Sequence, residues 1–83
     1  MKITVRYFAG LREALGGSET VDVGPGMTLA ALRDSLIARG GRHAEVLARG
    51  RALRCALNHT MCDEHEVPGE GAEVAYFPPV TGG

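Results

Sequence analysis

The residues best placed to do chemistry are the last six of the 83, Pro78-Pro79-Val80-Thr81-Gly82-Gly83. Each proline fixes φ and removes an amide donor, so the chain is predicted to leave its last strand extended. Gly82 and Gly83 have no Cβ, which predicts a flexible end whose carboxylate is open from either face. At about 3.3 Å per residue, six extended residues reach roughly 20 Å, enough to enter another protein's site. A glycine carboxylate offered in this way suits a carrier whose carboxylate is the working group. Gly83 would then be the group worked on, and Gly82 would supply the freedom to deliver it. A frayed chain end is the commonplace alternative, and the glycine pair alone does not decide between the two.

Other constellations are weaker. Cys55, His59, Cys62 and His65 invite a zinc reading, but the spacing Cys-x3-His-x2-Cys-x2-His does not match a finger or ribbon, and Cys55 is expected to point into the sheet. No metal is expected. Two cysteines cannot form a disulfide framework of the secreted kind. Lys2 is the only lysine beside eight arginines, so Schiff-base chemistry has almost no candidate. Gly24-Pro25-Gly26-Met27-Thr28-Leu29 lacks the third glycine of a dinucleotide fingerprint and carries proline in the turn. Ser18 and Ser35 stand beside no histidine in a hydrolase pattern. Asn58-His59-Thr60 matches a glycosylation acceptor, which has no meaning without secretion.

Composition narrows the function classes. Nine Lys plus Arg against ten Asp plus Glu leave a net charge of −1, which argues against nucleic acid as the main partner. No apolar run approaches the ~18–20 residues of a bilayer span. Charge interrupts Met1-Lys2-Ile3-Thr4-Val5-Arg6 before a signal-peptide core can form, so no membrane association and a cytoplasmic location are expected. A domain of this size has a thin core. Its chemistry is therefore expected at the surface, at a terminus or inside a partner. Charge is segregated along the chain: residues 39–54 hold five arginines against Glu45, and residues 63–73 hold five acids and no Lys or Arg. Solvated loops are the bland explanation, and electrostatic steering of partners is the functional one.

These groups need a scaffold. Residues 3–8 alternate, with Ile3, Val5 and Tyr7 on one face and Thr4, Arg6 and Phe8 on the other. Ala9 to Leu15 suits one or two helical turns, and Ser18 to Val23 a second strand. Thr28 is an N-cap for a helix over Leu29–Arg39, ended by Gly40-Gly41, with Arg39 complementing the helix dipole. A short helical piece over His43–Ala48, a strand over Leu53–Asn58 and a last strand over Glu73–Phe77 complete the order ββαββ. An amphipathic helix crossing between strand pairs must pack on one face of a mixed sheet. That predicts an α+β, β-grasp (ubiquitin-like) domain over residues 1–77, with residues 78–83 as a tail.

The stretch Glu73-Val74-Ala75-Tyr76-Phe77-Pro78-Pro79-Val80-Thr81-Gly82-Gly83 resembles the C-terminus of the molybdopterin synthase small subunits, a family of β-grasp sulfur carriers in molybdenum cofactor biosynthesis. Tyr7-Phe8-Ala9, Leu11-Arg12-Glu13 and Asn58-His59-Thr60-Met61 resemble it too. The resemblance implies a cycle on Gly83. A ubiquitin-activating-like adenylyltransferase would use ATP to adenylate the carboxylate, and sulfur would replace AMP to leave a thiocarboxylate. That sulfur would be delivered to cyclic pyranopterin monophosphate inside the large synthase subunit, in a complex of two small and two large subunits. No cofactor is implied on the carrier, and no activity by itself. Alternatives are a thiamine-thiazole sulfur carrier, a protein-modifying ubiquitin-like tag, or an interaction module whose tail is incidental. Phe77-Pro78-Pro79-Val80-Thr81 favours the molybdopterin branch.

Alternation also predicts a docking face. If the first and last strands are parallel neighbours, Phe8 and Phe77 sit together on the sheet face away from the helix, as interface anchors or as a second minor core. The resemblance adds Met61 to that patch. It also implies that Pro78, Pro79, Val80 and Thr81 contact the partner.

Overall fold

In the computed structural model, which describes residues 1–79, the chain forms five strands and three helices: β1 (Lys2–Tyr7), α1 (Gly10–Leu15), β2 (Ser18–Asp22), α2 (Leu29–Ile37), α3 (Gly41–Leu47), β3 (Arg54–Leu57), β4 (Thr60–Cys62) and β5 (Glu73–Phe77). The sheet runs β2-β1-β5-β3-β4. β1 and β5 are parallel at its centre, and every other pairing is antiparallel. This is the mixed sheet with helices expected of a β-grasp. Among the described residues no helix is long and apolar enough to cross a membrane.

The core follows the two periodicities of the sequence. Ile3, Val5 and Tyr7 of β1 and Val74 and Tyr76 of β5 are buried on one sheet face, against Leu29, Leu32 and Leu36 of α2 and Leu47 of α3. Each aliphatic side chain buried there contributes about 1.5–3 kcal/mol of transfer free energy. Tyr76 can sit in this core because its hydroxyl donates to the Leu29 carbonyl at 2.7 Å. Thr28 caps α2, its Oγ1 accepting from the Ala31 N–H at 3.1 Å.

Three corrections to the expected elements have physical causes. The ββαββ order omits β4, three residues that pair with β3 through a two-residue turn at Asn58 (φ 49°) and His59 (φ 70°). Positive φ at both central residues is the geometry that matches strand twist in tight hairpins. Asn58 further ties the hairpin to the start of β5: its N–H donates to the Glu73 carbonyl (2.8 Å) and its Oδ1 accepts from the Glu73 N–H (2.9 Å). The second correction is that α2 stops at Ile37, and the left-handed Gly40 (φ 76°) turns the chain directly into α3. Third, Arg39 therefore complements no dipole and reaches across to Glu19 on β2.

Glu19 is an acid in an inward-facing strand position, opposite Val5. Burial alone would raise its carboxyl. Hydrogen bonds from Arg39, His43 (2.9 Å) and Tyr7 Oη (2.8 Å) outweigh that and hold it at about 2. A carboxylate depressed on folding stabilises above its ordinary value near 4.5, and that stabilisation is lost as pH falls toward 2. Unfolding free energy is thus expected to drop between these limits, on the order of 1 kcal/mol after solvent screening. Urea titrations of the unaltered chain and of Glu19→Gln across that window check this; the variant should lack this part of the slope.

Candidate functional site

Parallel pairing of the first and last strands decides where the candidate residues fall. Thr4–Tyr7 runs alongside Glu73–Tyr76 in register, so both strands emerge at the same end of the sheet. Phe8 leaves β1 beside Phe77, the last residue of β5. Their rings meet edge to face, with centroids 6.5 Å apart and planes at 87°. Phe8 is 40% exposed, and the Arg6 guanidinium lies over its ring at 5.6 Å from the centroid. The next residues, Pro78 and Pro79, carry the chain off the sheet directly from this aromatic pair.

The register extends the face toward β4. Arg6 pairs with Ala75, Ala75 with Ala56, and Ala56 with Met61. In the adjacent row Phe77 pairs with Arg54. Met61 is 53% exposed, at the far edge of the sheet. β3 separates it from the aromatic pair, so at ~4.8 Å per strand it stands roughly 10 Å from β5. The alanines between them form a low floor. The outer face is thus a shallow apolar trough, walled by Phe8 and Phe77 on one side and Met61 on the other. This exposure differs from a closed minor core.

Sequence reasoning placed Phe8 and Phe77 on one face from their phase together with the assumption that their strands are parallel neighbours, a pairing the structure shows. It missed the role of Ala56, because Met61 and its partner can be put in register only once β4 is recognised. Val80, Thr81, Gly82 and Gly83 lie outside the described residues.

The cysteines and charges read differently in space. Cys55 is buried, its thiol donating to the Cys62 carbonyl at 3.4 Å. Burial first, then the neighbouring Cys62, Glu64 and Asp63, push it up to about 12. The thiolate is the nucleophile and the metal ligand, so Cys55 is ill suited to hold sulfur or zinc near neutral pH. Among the described residues no three His, Cys, Asp or Glu side chains converge as a metal site. The basic and acidic stretches partly neutralise each other. Arg49 bonds Asp34 (2.9 Å) and Glu64 (2.8 Å), and Arg33 lies 3.7 Å from Glu64.

A five-stranded β-grasp with an open apolar sheet face beside the exit of its last strand defines a ubiquitin-like protein. The ThiS family model matches residues 5–83. The chain is 40% identical to the molybdopterin synthase sulfur carrier subunit of Escherichia coli K12, over 98% of this chain and 99% of that one. It is 35% identical over the same shares to the subunit of that name from Haemophilus influenzae. The chain belongs to the ThiS family and, within it, groups with the molybdopterin synthase sulfur carrier subunits. Among solved structures it is similar to small archaeal modifier protein 1 of Haloferax volcanii, with 25% identity and TM-score 0.75 over 95% of this chain and 98% of that one. It is also similar to a chain of the complex of subunits 1 and 2 of molybdopterin-converting factor from Helicobacter pylori 26695, with 26% identity and TM-score 0.69 over the whole of both chains.

Proposed function

We propose that this chain is the sulfur-carrying subunit of a molybdopterin synthase and works in the cytoplasm. The observation that carries the proposal is the 40% identity, over nearly the whole chain, to a curated subunit of that name. In the proposed cycle the Gly83 carboxylate attacks the α-phosphate of ATP in an activating enzyme and releases pyrophosphate. The step is needed because a free carboxylate is a poor electrophile, whereas AMP is a good leaving group. A sulfur nucleophile then displaces AMP and leaves a thiocarboxylate on Gly83. Gly82 and the Pro78–Thr81 stretch present that group to the large synthase subunit. There its sulfur is transferred to cyclic pyranopterin monophosphate, and hydrolysis returns the carboxylate. A dithiolene contains two sulfurs, so two carriers are consumed per product. Holding the thiocarboxylate against the pterin is the entropic contribution to rate.

In this account the trough of Phe8, Phe77 and Met61 is the docking face. Truncating an exposed aromatic anchor at the centre of an interface costs about 2 kcal/mol or more. Phe8→Ala is therefore expected to weaken association with the large subunit by at least about tenfold. Its thermal midpoint should change little, since the ring is partly exposed. Titration calorimetry against the large subunit from the same source checks this.

The similarity to an archaeal modifier protein supports a second reading, a protein-modifying ubiquitin-like tag. Both readings share the adenylate and differ in the nucleophile that follows. Reconstitution with the activating enzyme, a sulfur source, the large subunit and cyclic pyranopterin monophosphate separates them. Molybdopterin formed in proportion to loaded carrier is the expected result; amide-linked conjugates without molybdopterin would contradict the proposal.

A further inference from the structure

Beside the strand exit lies a cleft of about 520 Å³, lined by Leu11, Val46, Arg51, Ala52, Leu53 and Pro78 among others. Sequence neighbours tie it to the trough: Pro78 follows Phe77, and Leu11, the second residue of α1, comes three residues after Phe8. Its walls are largely apolar, and among the described residues Arg51 is the only charged one that lines it. Among the described residues no acid forms an ion pair with Arg51, with Arg54 beside Phe77, or with Arg12 beside Leu11. Among the described residues, the positive charge around the exit is therefore uncompensated.

The cleft is also held open. The guanidinium of Arg33, 4% exposed, donates to the carbonyls of Leu47 (2.8 Å), Ala48 (2.7 Å) and Arg51 (3.0 Å). One buried cation thus fixes the backbone from the end of α3 to the loop that carries Arg51. Pro78 faces it with a fixed φ. A pocket whose walls are ordered beforehand binds without the entropic cost of ordering them.

We infer that this cleft is a second docking point for the protein that receives the C-terminus. Its occupant is a short partner segment that lays a leucine-sized apolar side chain against Leu11, Val46 and Leu53 and sets a carboxylate on Arg51. The inference rests on the carrier function proposed above. It explains why an apolar concavity and an unpaired arginine adjoin the exit: the two together read a partner's register before the terminus is threaded.

The test is calorimetric titration of the complete chain with the large synthase subunit from the same source. Arg51→Glu reverses the charge without touching the carbonyl that Arg33 holds, and Ala52→Trp fills the cleft from an exposed position. Each is expected to weaken binding by about tenfold or more. Lys2→Glu, an equal charge change at the start of β1, should stay within about twofold of the unaltered chain. Thermal midpoints should be unchanged throughout. Arg51→Glu and Ala52→Trp both within about twofold, or Arg51→Glu no weaker than Lys2→Glu, would overturn the inference while leaving the carrier function standing. No binding by the unaltered chain would overturn both. Methyl resonances of Val46 and Leu53 that shift when residues 80–83 are removed from the free chain would assign the cleft to the chain's own end, and would also overturn it.

Discussion

Adding one alanine after Gly83 is expected to abolish molybdopterin formation while leaving the fold intact. The variant still has a terminal carboxylate, so what it loses is position and access. One residue moves the reactive carbon by about 3.5 Å. A misplacement of ~1 Å in a near-attack geometry already costs on the order of a hundredfold in rate. The added methyl also shields one face of the new carbonyl, which glycine leaves open. Deleting Gly83 should be equally severe, because the carboxylate then falls short of the reacting centre. Among the described residues the last core side chain is Tyr76, seven residues before Gly83, so stability should be unaffected. The measurements are complementation in cells lacking the native protein and a thermal melt of each variant. Restored cofactor synthesis by the lengthened chain, with its extra residue still present, would contradict the account.

Arg33→Met is expected to have the largest effect on stability. The methionine matches the aliphatic stem, so the loss isolates the guanidinium. Three carbonyls at and beyond the end of α3 would be left without their donor. The last carbonyls of a helix have no partner within it and carry the negative end of its dipole. Hydrogen bonds to a charged group are worth about 1.5–3 kcal/mol each, though not additively. A net loss of about 3–5 kcal/mol follows, against a total of roughly 4–12 kcal/mol for a domain of this length. Urea unfolding should show the midpoint falling with little change in slope. Arg33→Lys should recover only part of the loss, since a single ammonium cannot span three acceptors in the guanidinium's fork geometry. A change below about 1 kcal/mol in Arg33→Met would show that the α3 end is held in some other way.

Much of the scaffold was legible because its signals are local. The alternation of Ile3, Val5 and Tyr7, the spacing of Leu29, Leu32 and Leu36, and the Thr28 cap each announce an element within a few residues. The outward phase of Phe8 and Phe77 needed only the further assumption that their strands are parallel neighbours. Features that rest on distant partners were not legible. β4 has three residues and no alternation long enough to read, and it exists because Asn58 and His59 accept left-handed backbone and Asn58 bonds to Glu73. Arg33 sits four residues after Leu29 on the buried stripe, where a charged residue argues against burial until its carbonyl partners are known. Glu19 likewise breaks the inward pattern of β2, and only Arg39, His43 and Tyr7 make that position tolerable. The cleft was invisible for a related reason: its walls come from α1, α3, a loop and the strand exit, joined by no short-range pattern.

The central claim is that the working group is the Gly83 carboxylate, loaded with sulfur by another enzyme. Intact mass spectrometry of the chain co-expressed with its activating enzyme under sulfur-replete conditions tests it most directly. The account predicts a mass increase equal to the exchange of one oxygen for sulfur, located by fragmentation on Gly83 and absent when that residue is deleted. An unchanged mass, or sulfur found on Cys55 or Cys62 instead, would contradict it.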